Sequence, residues 1–197
     1  MSSKFFTNSS QRSLFDKFKG IIEHMKNLYA FHAVIGYFRS SGYFALPTDL
    51  KDRKEIKIWV GINVDQMFAG SQRKGLLYFG DENKTKDEFL KWFIQDIKEA
   101  KYSEQVEKGV LQFINDLMKG RIEVRAHNSK AIHAKFYLFL PEKHTTHSDG
   151  WVIMGSSNLT EAGLGIKKSP NYELNIALKD FDDVEFTKKE FIALWEQ

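Results

Sequence analysis

The segment His133-Ala134-Lys135 places a histidine two residues before a lysine, a combination of side chains that could take part in catalysis. On an extended strand both polar side chains share one face, with roughly 7 Å between them. Imidazole and ammonium groups repel when both are charged, so the pair favours an anion between them. A phosphate fits, because one group can attack phosphorus while the other holds its oxygens. Taken alone, the pattern also suits a half-exposed strand with incidental polar residues.

A second polar segment, Gly155-Ser156-Ser157-Asn158, follows a short buried strand predicted from Trp151 to Met154. Its glycine permits a tight turn, and two hydroxyls and an amide follow just past a strand end, where ligand sites form in such sheets. The block from Thr160 to Leu164 then predicts a brief helical turn whose first N–H groups favour an anion.

A carboxylate follows in the segment from Tyr172 to Leu178, which alternates as a strand. The apolar side chains expected to point inward are Tyr172, Leu174 and Ile176. We expect Glu173 to lie with Asn175 on the polar face. A carboxylate there could orient a histidine ring and keep its tautomer fixed. A solvated strand residue is an equally good interpretation of Glu173 by itself.

Together these segments resemble the phospholipase D superfamily, in which a His-x-Lys pair precedes a Gly-Ser-x-Asn turn. The resemblance is greater to its nuclease-like domain at the N-terminus of bacterial superfamily II helicases and in some restriction endonucleases. The segments that match are Ile132 to Phe139, Gly155 to Leu164 and Glu173 to Asn175, with Phe5 to Asn8, Gly36 to Phe38 and Ser41-Gly42 resembling the opening of that subgroup. The resemblance implies an α/β fold, a layered sandwich of a mixed sheet flanked by helices.

Two departures from the family pattern change what the resemblance implies. The superfamily aspartate five residues after the lysine is replaced by Leu140. In the absence of this aspartate, the resemblance implies that Glu173 is the group that orients the histidine. The replacement also makes a lipid hydrolase a weaker alternative. The chain also has one His-x-Lys pair, whereas family active sites use two. The resemblance therefore implies a homodimer with a shared active site, to which each chain contributes a His133.

The activity that the resemblance implies is metal-independent cleavage of nucleic acid, DNA rather than RNA, without a cofactor. His133 of one chain would attack phosphorus and form a phosphohistidine, and the partner's His133 would protonate the leaving oxygen. Lys135 and Asn158 would hold the non-bridging oxygens, and Glu173 would orient the attacking ring. The further phosphate contacts expected are Ser156, Ser157 and Lys130.

Two alternatives remain open on the sequence. One is a non-catalytic nucleic-acid-binding module that keeps the site as a phosphate clamp. The other is a hydrolase of other phosphodiesters. We expect residues 1–197 to form a single nuclease-like domain, which the resemblance places in a chain that could continue into a C-terminal helicase.

The elements that must position these residues follow from the spacing of apolar side chains. Helices are predicted from Gln11 to Leu28, around Ser40 to Leu46, from Thr85 to Ala100, from Ser103 to a C-terminal cap at Gly120, and from Thr187 onward. Strands are predicted at Ala30 to Ile35, Ile56 to Val60, Ile122 to Ala126, Ala131 to Phe139, Trp151 to Met154, and Tyr172 to Leu178.

Composition limits the class of protein. The chain has 197 residues, 42% of them hydrophobic, which is enough for one domain with a core. It has no cysteine, which excludes disulfide scaffolds and thiolate metal sites and suits a reducing compartment. Without a membrane-length apolar run or a signal peptide, we expect a cytoplasmic protein and no membrane partner. The net charge of +3 is compatible with binding to a polyanion but does not by itself indicate such a partner.

Other candidate motifs are weaker. His144 and His147 lie in a polar segment without the helical context of paired metal ligands, so we interpret it as a surface loop. The segment Gly75 to Gly80 has the outer spacing of a phosphate loop, but two acidic residues follow it and would repel a triphosphate. His24 and His32 are predicted to be surface or hydrogen-bonded core residues.

Overall fold

The computed structural model describes residues 3–8, 12–36, 40–61, 115–116, 118–127 and 133–196. The strands in this part of the chain are β1 (Phe5–Thr7), β2 (Leu28–Ile35), β3 (Glu55–Gly61), β4 (Ile122–His127), β5 (Phe136–Pro141), β6 (Trp151–Gly155) and β7 (Leu174–Leu178). The helices are α1 (Leu14–His24), α2 (Ser40–Phe44), α3 (Thr48–Lys51) and α4 (Phe181–Trp195). None of these helices is long and apolar enough to cross a bilayer.

The described strands form one mixed sheet in the order β1, β7, β6, β5, β2, β3, β4. β2, β3 and β4 are parallel, whereas β5, β6, β7 and β1 each run antiparallel to their neighbours. The carboxyl ends of β2 and β6 therefore meet the amino ends of β5 and β7 at the same end of the sheet. We call this end, marked by Gly36, Lys135, Gly155 and Glu173, the site end.

Apolar side chains are buried on both faces of the sheet. The first face packs against α1, α2 and α3 through residues that include Phe18, Tyr43 and Leu50. The second face packs against α4 through Val184, Phe191 and Trp195. β5 contributes to both cores, because alternate side chains of a central strand point to opposite faces. The predicted α/β architecture, a mixed sheet between layers of helices, is confirmed.

Helix α1 is shorter than the predicted Gln11 to Leu28, and its start is set by a capping box. The Ser13 hydroxyl accepts a hydrogen bond from the backbone N–H of Asp16, and the Asp16 carboxylate accepts one from the backbone N–H of Ser13, both at 3.1 Å. These bonds satisfy donors that have no partner inside the helix. At the other end, Leu28 belongs to β2.

Other element boundaries also differ from prediction. The strand expected from Ala131 begins at Phe136, and the strand expected from Tyr172 begins at Leu174. The last helix begins at Phe181 rather than Thr187, because Asp180 adopts the extended geometry of an N-cap. The negative charges of Asp182 and Asp183 in its first turn interact favourably with the positive end of the helix dipole.

Several predicted elements lie wholly or partly outside the described residues. These are the helix from Thr85 to Ala100, most of the helix that begins at Ser103, the segment Gly75 to Gly80, and the start of the strand predicted from Ala131. The predicted cap at Gly120 is described, and its φ of 67° is the left-handed conformation that a helix-terminating glycine adopts.

Candidate active site

Lys135 and Asn158 approach the same point at the site end of the sheet, beside Gly36. The Asn158 side-chain oxygen accepts a hydrogen bond from the Gly36 backbone N–H at 3.1 Å. A Cβ placed on Gly36 would lie 3.3 Å from the Lys135 Nζ and 3.4 Å from the Asn158 Oδ1. Since a backbone N–H can only donate, it fixes which end of the Asn158 amide faces Gly36. The fold thus brings together a cation and an amide from two distant segments.

His133 is exposed and adjoins this pair through the backbone. The Lys135 Nζ donates a hydrogen bond to the His133 carbonyl oxygen at 3.0 Å. The predicted strand face shared by His133, Lys135 and Tyr137 is wrong, because His133 and Ala134 precede β5 and Tyr137 is buried. The physical reason is that pairing with β6 stops where the Gly155 N–H bonds the Lys135 carbonyl. His133 therefore lies on a segment beyond the sheet.

Leu140, which replaces the superfamily aspartate, is buried in the second core. The same cluster contains Phe136, Leu138 and Val152. A carboxylate at this position would lose its hydration without an ion partner in this apolar cluster. The position therefore serves packing in this chain.

Ser156 and Glu173 form a hydrogen-bonded pair at the exposed edge of the site. The Ser156 hydroxyl donates to the Glu173 carboxylate and accepts from the Leu174 backbone N–H at 3.1 Å. Glu173 makes no hydrogen bond to His133 of the same chain among the contacts of the described residues. Its expected role in orienting the histidine ring remains a prediction.

The predicted orientation of β7 is wrong. Asn175 is buried, whereas Tyr172 and Leu174 are 75% and 48% exposed. Tyr172 precedes the strand, and within the strand it is Asn175 and Ala177 that turn toward the interior. Alternation correctly separated the two faces of the strand. It did not reveal which face is covered, because the partner of Asn175 comes from another segment.

Ser157 is that partner, and it is fully buried. Its hydroxyl oxygen accepts a hydrogen bond from the Asn175 Nδ2 at 2.9 Å, and its carbonyl oxygen accepts one from the Tyr137 hydroxyl at 2.8 Å. The expected contact between the Ser157 hydroxyl and a phosphate is therefore wrong, since this group faces the interior. Burial, and secondly the negative charge of Glu173, raise the pKa of Tyr137 well above its ordinary value. Tyr137 thus stays a protonated donor.

Two glycines in the turn are needed for space rather than for a positive φ. A Cβ on Gly155 would overlap the Asn175 side-chain oxygen and the Leu174 carbonyl. A Cβ on Gly163 would overlap the Asn158 carbonyl.

The helical turn expected from Thr160 to Leu164 is a single turn, closed by a 2.8 Å hydrogen bond from the Leu164 N–H to the Thr160 carbonyl. The Gly163 N–H bonds the Thr160 hydroxyl at 3.0 Å, so this donor is already used.

Asn8 supports the backbone of the candidate site in a way that the sequence did not reveal. Its side-chain oxygen accepts from the Glu173 backbone N–H at 3.2 Å, and its Nδ2 donates to the Asn171 carbonyl at 2.8 Å. It therefore fixes the backbone on both sides of Tyr172 and supports the position of Glu173. The available signal was the segment Phe5 to Asn8, which matched the family opening without indicating a contact.

Three other histidines are described by their burial. The His32 side chain is buried and its Nε2 hydrogen-bonds Glu55 at 2.6 Å, as expected of a hydrogen-bonded core residue, although its Nδ1 has no partner among the described residues. The side chain of His144 is also buried, bonded to Glu185 at 3.0 Å and stacked on Phe181, so the prediction of a surface position is wrong for this residue. Its loop folds against α4. His147 in the same loop is exposed.

A metal centre is not formed by the described part of the chain, where no three His, Asp or Glu side chains cluster. Lys130, an expected phosphate contact, lies outside the described residues.

The sequence matches the model of a known family. A family model described as "Cardiolipin synthase, PLD-like domain" matches residues 77–195, more than half of the chain. The search of curated proteins finds no match.

Solved structures with similar folds have low sequence identity. An archaeal chromatin protein, TrmBL2, reported to show a novel mode of DNA binding, is 14% identical with a TM-score of 0.44 and covers 100% of this chain. A mutant yeast tyrosyl-DNA phosphodiesterase is 8% identical with a TM-score of 0.44 and covers 88% of this chain. This chain spans 53% and 30% of the length of those two chains.

Proposed function

Because the chain belongs to the phospholipase D-like domain family, we propose that it is a metal-independent phosphodiesterase that cleaves nucleic acid, DNA rather than RNA. The observation that supports this most directly is the approach of Lys135 and Asn158 to Gly36, with the exposed His133 beside them. A nucleophile, a cation and an amide donor at one end of a sheet suit a phosphate group. DNA is proposed because the motif segments resemble those of helicase-linked nucleases.

The proposed reaction has two displacements at phosphorus. A ring nitrogen of His133 bonds to phosphorus while the bond from phosphorus to the leaving oxygen breaks. The partner's His133, protonated at the start, gives its proton to that oxygen and becomes neutral. It then takes a proton from water as the water oxygen attacks phosphorus, which releases His133 and the phosphate product. One imidazole cannot act on both sides of phosphorus, so the reaction requires two copies of the chain.

Lys135 and Asn158 are proposed to hold the non-bridging oxygens. Negative charge grows on these oxygens as the phosphorus is attacked, and preorganised donors stabilise it without rearranging. The bond from the Lys135 Nζ to the His133 carbonyl, and that from Gly36 to Asn158, limit how far either group moves before substrate binds. Removing one such donor typically lowers kcat by about 10² to 10³.

Glu173, Ser156 and Lys130 have supporting roles in this proposal. Ser156 holds the Glu173 carboxylate in place, and that negative charge favours the imidazolium form that a histidine takes up during the reaction. Ser156 is exposed, and its proposed contact to phosphate requires its hydroxyl to turn from the Glu173 carboxylate to a phosphate oxygen, because a hydroxyl has one proton to donate. The Lys130 side chain is a second proposed contact. We further propose one domain over residues 1–197, a homodimer, and a helicase in the same full-length chain.

The test is cleavage of labelled single-stranded DNA, double-stranded DNA and RNA by the full chain in the presence of EDTA. We expect DNA to be cut in EDTA and not to be cut by His133→Ala. The matched control His147→Ala removes an exposed histidine from the loop at the opposite end of the sheet and should keep the wild-type rate. Loss of cleavage in EDTA that is restored by Mg²⁺ or Mn²⁺ would overturn the histidine mechanism. Binding of DNA without cleavage would assign the chain as a binding module.

A further inference from the structure

Ser157 is the buried centre of a small polar network at the site end of the sheet. Asn175 of β7 bonds its hydroxyl and Tyr137 of β5 bonds its carbonyl, at 2.9 and 2.8 Å. All three residues are at most 2% exposed. Hydrogen bonds in such a low-dielectric interior are strong and restrict motion. The network therefore fixes the backbone at Ser157 from two different strands.

This network lies next to Lys135 and Asn158, the two residues proposed to hold the phosphate oxygens. Tyr137 lies two residues after Lys135 on the same chain segment, and Ser157 immediately precedes Asn158. The Tyr137 bond therefore ties the segment that carries the lysine to the turn that carries the amide. The Lys135 carbonyl oxygen accepts a hydrogen bond from the Gly155 N–H at 3.1 Å. This bond is a second connection between the segment of Lys135 and the turn of Asn158. A shift of Ser157 would move Asn158 away from Lys135.

Asn175 has features that packing alone does not explain. Its Oδ1 is buried and has no hydrogen-bond partner among the described residues, a cost that an apolar side chain would avoid. Its side chain also occupies the space that a Cβ on Gly155 would need. The Nδ2 bond to Ser157 is the interaction that an apolar residue of the same size could not make.

We propose that Tyr137 and Asn175 are positioning residues that act through Ser157 to hold Asn158 beside Lys135, an inference that rests on the proposed phosphodiesterase function. Neither side chain needs to touch the substrate. Misplacement of a catalytic group by about 1 Å can lower a rate by about 10²-fold, so small changes in this network should be visible in turnover.

The first test is Tyr137→Phe, which removes one hydroxyl and keeps the ring. We expect kcat on DNA to fall about 10- to 100-fold, with KM changed by less than about threefold and an unchanged circular dichroism spectrum. Asn175→Leu should act in the same direction. The matched control Tyr29→Phe removes a hydroxyl from a partly buried tyrosine at the opposite end of β2 and should keep the wild-type kcat. A lower melting temperature with wild-type kcat would overturn the proposal, because it would assign a stabilising role only.

A double-mutant cycle tests whether the effect passes through Asn158. In an Asn158→Ala background, Tyr137→Phe should change kcat by less than about twofold, because the group that it positions is gone. If the two losses multiply, Tyr137 acts independently of Asn158 and the proposal is overturned.

A binding measurement separates this inference from the proposed function. Inorganic phosphate is titrated into the labelled full chain, and the side-chain amide signal of Asn158 is followed by NMR. We expect Tyr137→Phe to change the phosphate-induced shift of this signal while the affinity changes by less than about threefold, and Tyr29→Phe to leave both unchanged. If phosphate binds in this way but no nucleic acid is cut, the proposed function fails and the positioning role stands. If DNA is cut and Tyr137→Phe behaves as wild type, the positioning role alone fails. If phosphate does not bind and no substrate is cut, both are overturned.

Discussion

At the scale of single residues, the histidines of this chain differ by what surrounds them. His32 and His144 are buried, each against a carboxylate and an aromatic ring. His133 is exposed and adjoins Lys135. A side chain outside the core can be changed with little effect on folding. We therefore expect His133→Ala to lower the rate of cleavage by about 10⁴ to 10⁶ while the urea midpoint of unfolding stays at the wild-type value.

Stopped-flow or quenched single-turnover kinetics would measure the loss, and urea unfolding would check the fold. A variant with wild-type turnover would remove His133 from the mechanism, whatever the result for its stability.

Glu173→Gln should be milder than His133→Ala, because it removes a charge and leaves the nucleophile. We expect a loss on the order of 10² in single-turnover rate. Glu161→Gln is the matched control, since Glu161 pairs with Lys167 in the same turn region and has no proposed role in the reaction. A loss as large as that of His133→Ala would show that Glu173 takes part directly in bond making or proton transfer.

At the scale of elements, α4 is held on the second face of the sheet by a stack of aromatic rings. Phe191 is 1% exposed, and its ring centroid lies 4.5 Å from that of His32 and 5.4 Å from that of Trp195. Phe191→Ala should reduce the free energy of unfolding by about 3 to 5 kcal/mol through lost burial and a cavity. Phe186→Ala removes a 63% exposed ring from the same helix and should cost less than about 0.5 kcal/mol. Equal effects in urea unfolding would contradict this account of how α4 is held.

The pair between β2 and β3 predicts how stability depends on pH. The hydrogen bond from His32, with smaller help from Lys57, lowers the pKa of Glu55 from 4.5 to about 2. Because the folded pKa is the lower one, the stabilisation is complete above pH 4.5 and is lost as the pH falls toward 2. Glu55→Gln should therefore flatten the fall in stability over this range, measured by thermal unfolding. Glu123→Gln, which changes a more exposed carboxylate, should keep the wild-type slope.

At the scale of the whole molecule, the proposed reaction requires two copies of the chain. We expect light scattering to give about twice the 22.9 kDa of one chain, and cleavage per chain to fall on dilution below the dissociation constant of the dimer. The His133→Ala chain gives a further check. Mixed with wild type, it should form heterodimers in which one of the two required histidines is missing, so activity should decrease as the mutant is added in excess. An active monomer at assay concentration would contradict the shared site.

The sequence by itself indicated the short segments that are proposed to carry the chemistry, and it determined which elements make up most of the fold. The His-x-Lys pair, the Gly-Ser-Ser-Asn turn and Glu173 could be identified because their spacing is local, and strands such as β3 and β4 have nearly the predicted bounds. Alternation also separated the two faces of β5 and β7. A local pattern carries this much information because it depends only on neighbouring residues.

Only the tertiary structure decided which of these side chains face solvent. Ser157 looked like a ligand to phosphate, but Asn175 and Tyr137 from two other strands take up its hydroxyl and carbonyl groups. Tyr137 shared a predicted face with His133, but pairing with β6 ends at Lys135 and leaves His133 outside the sheet. In each case the outcome depends on a partner that is distant in sequence. Periodicity cannot reveal which face a distant element will cover, because covering is settled by how the layers pack.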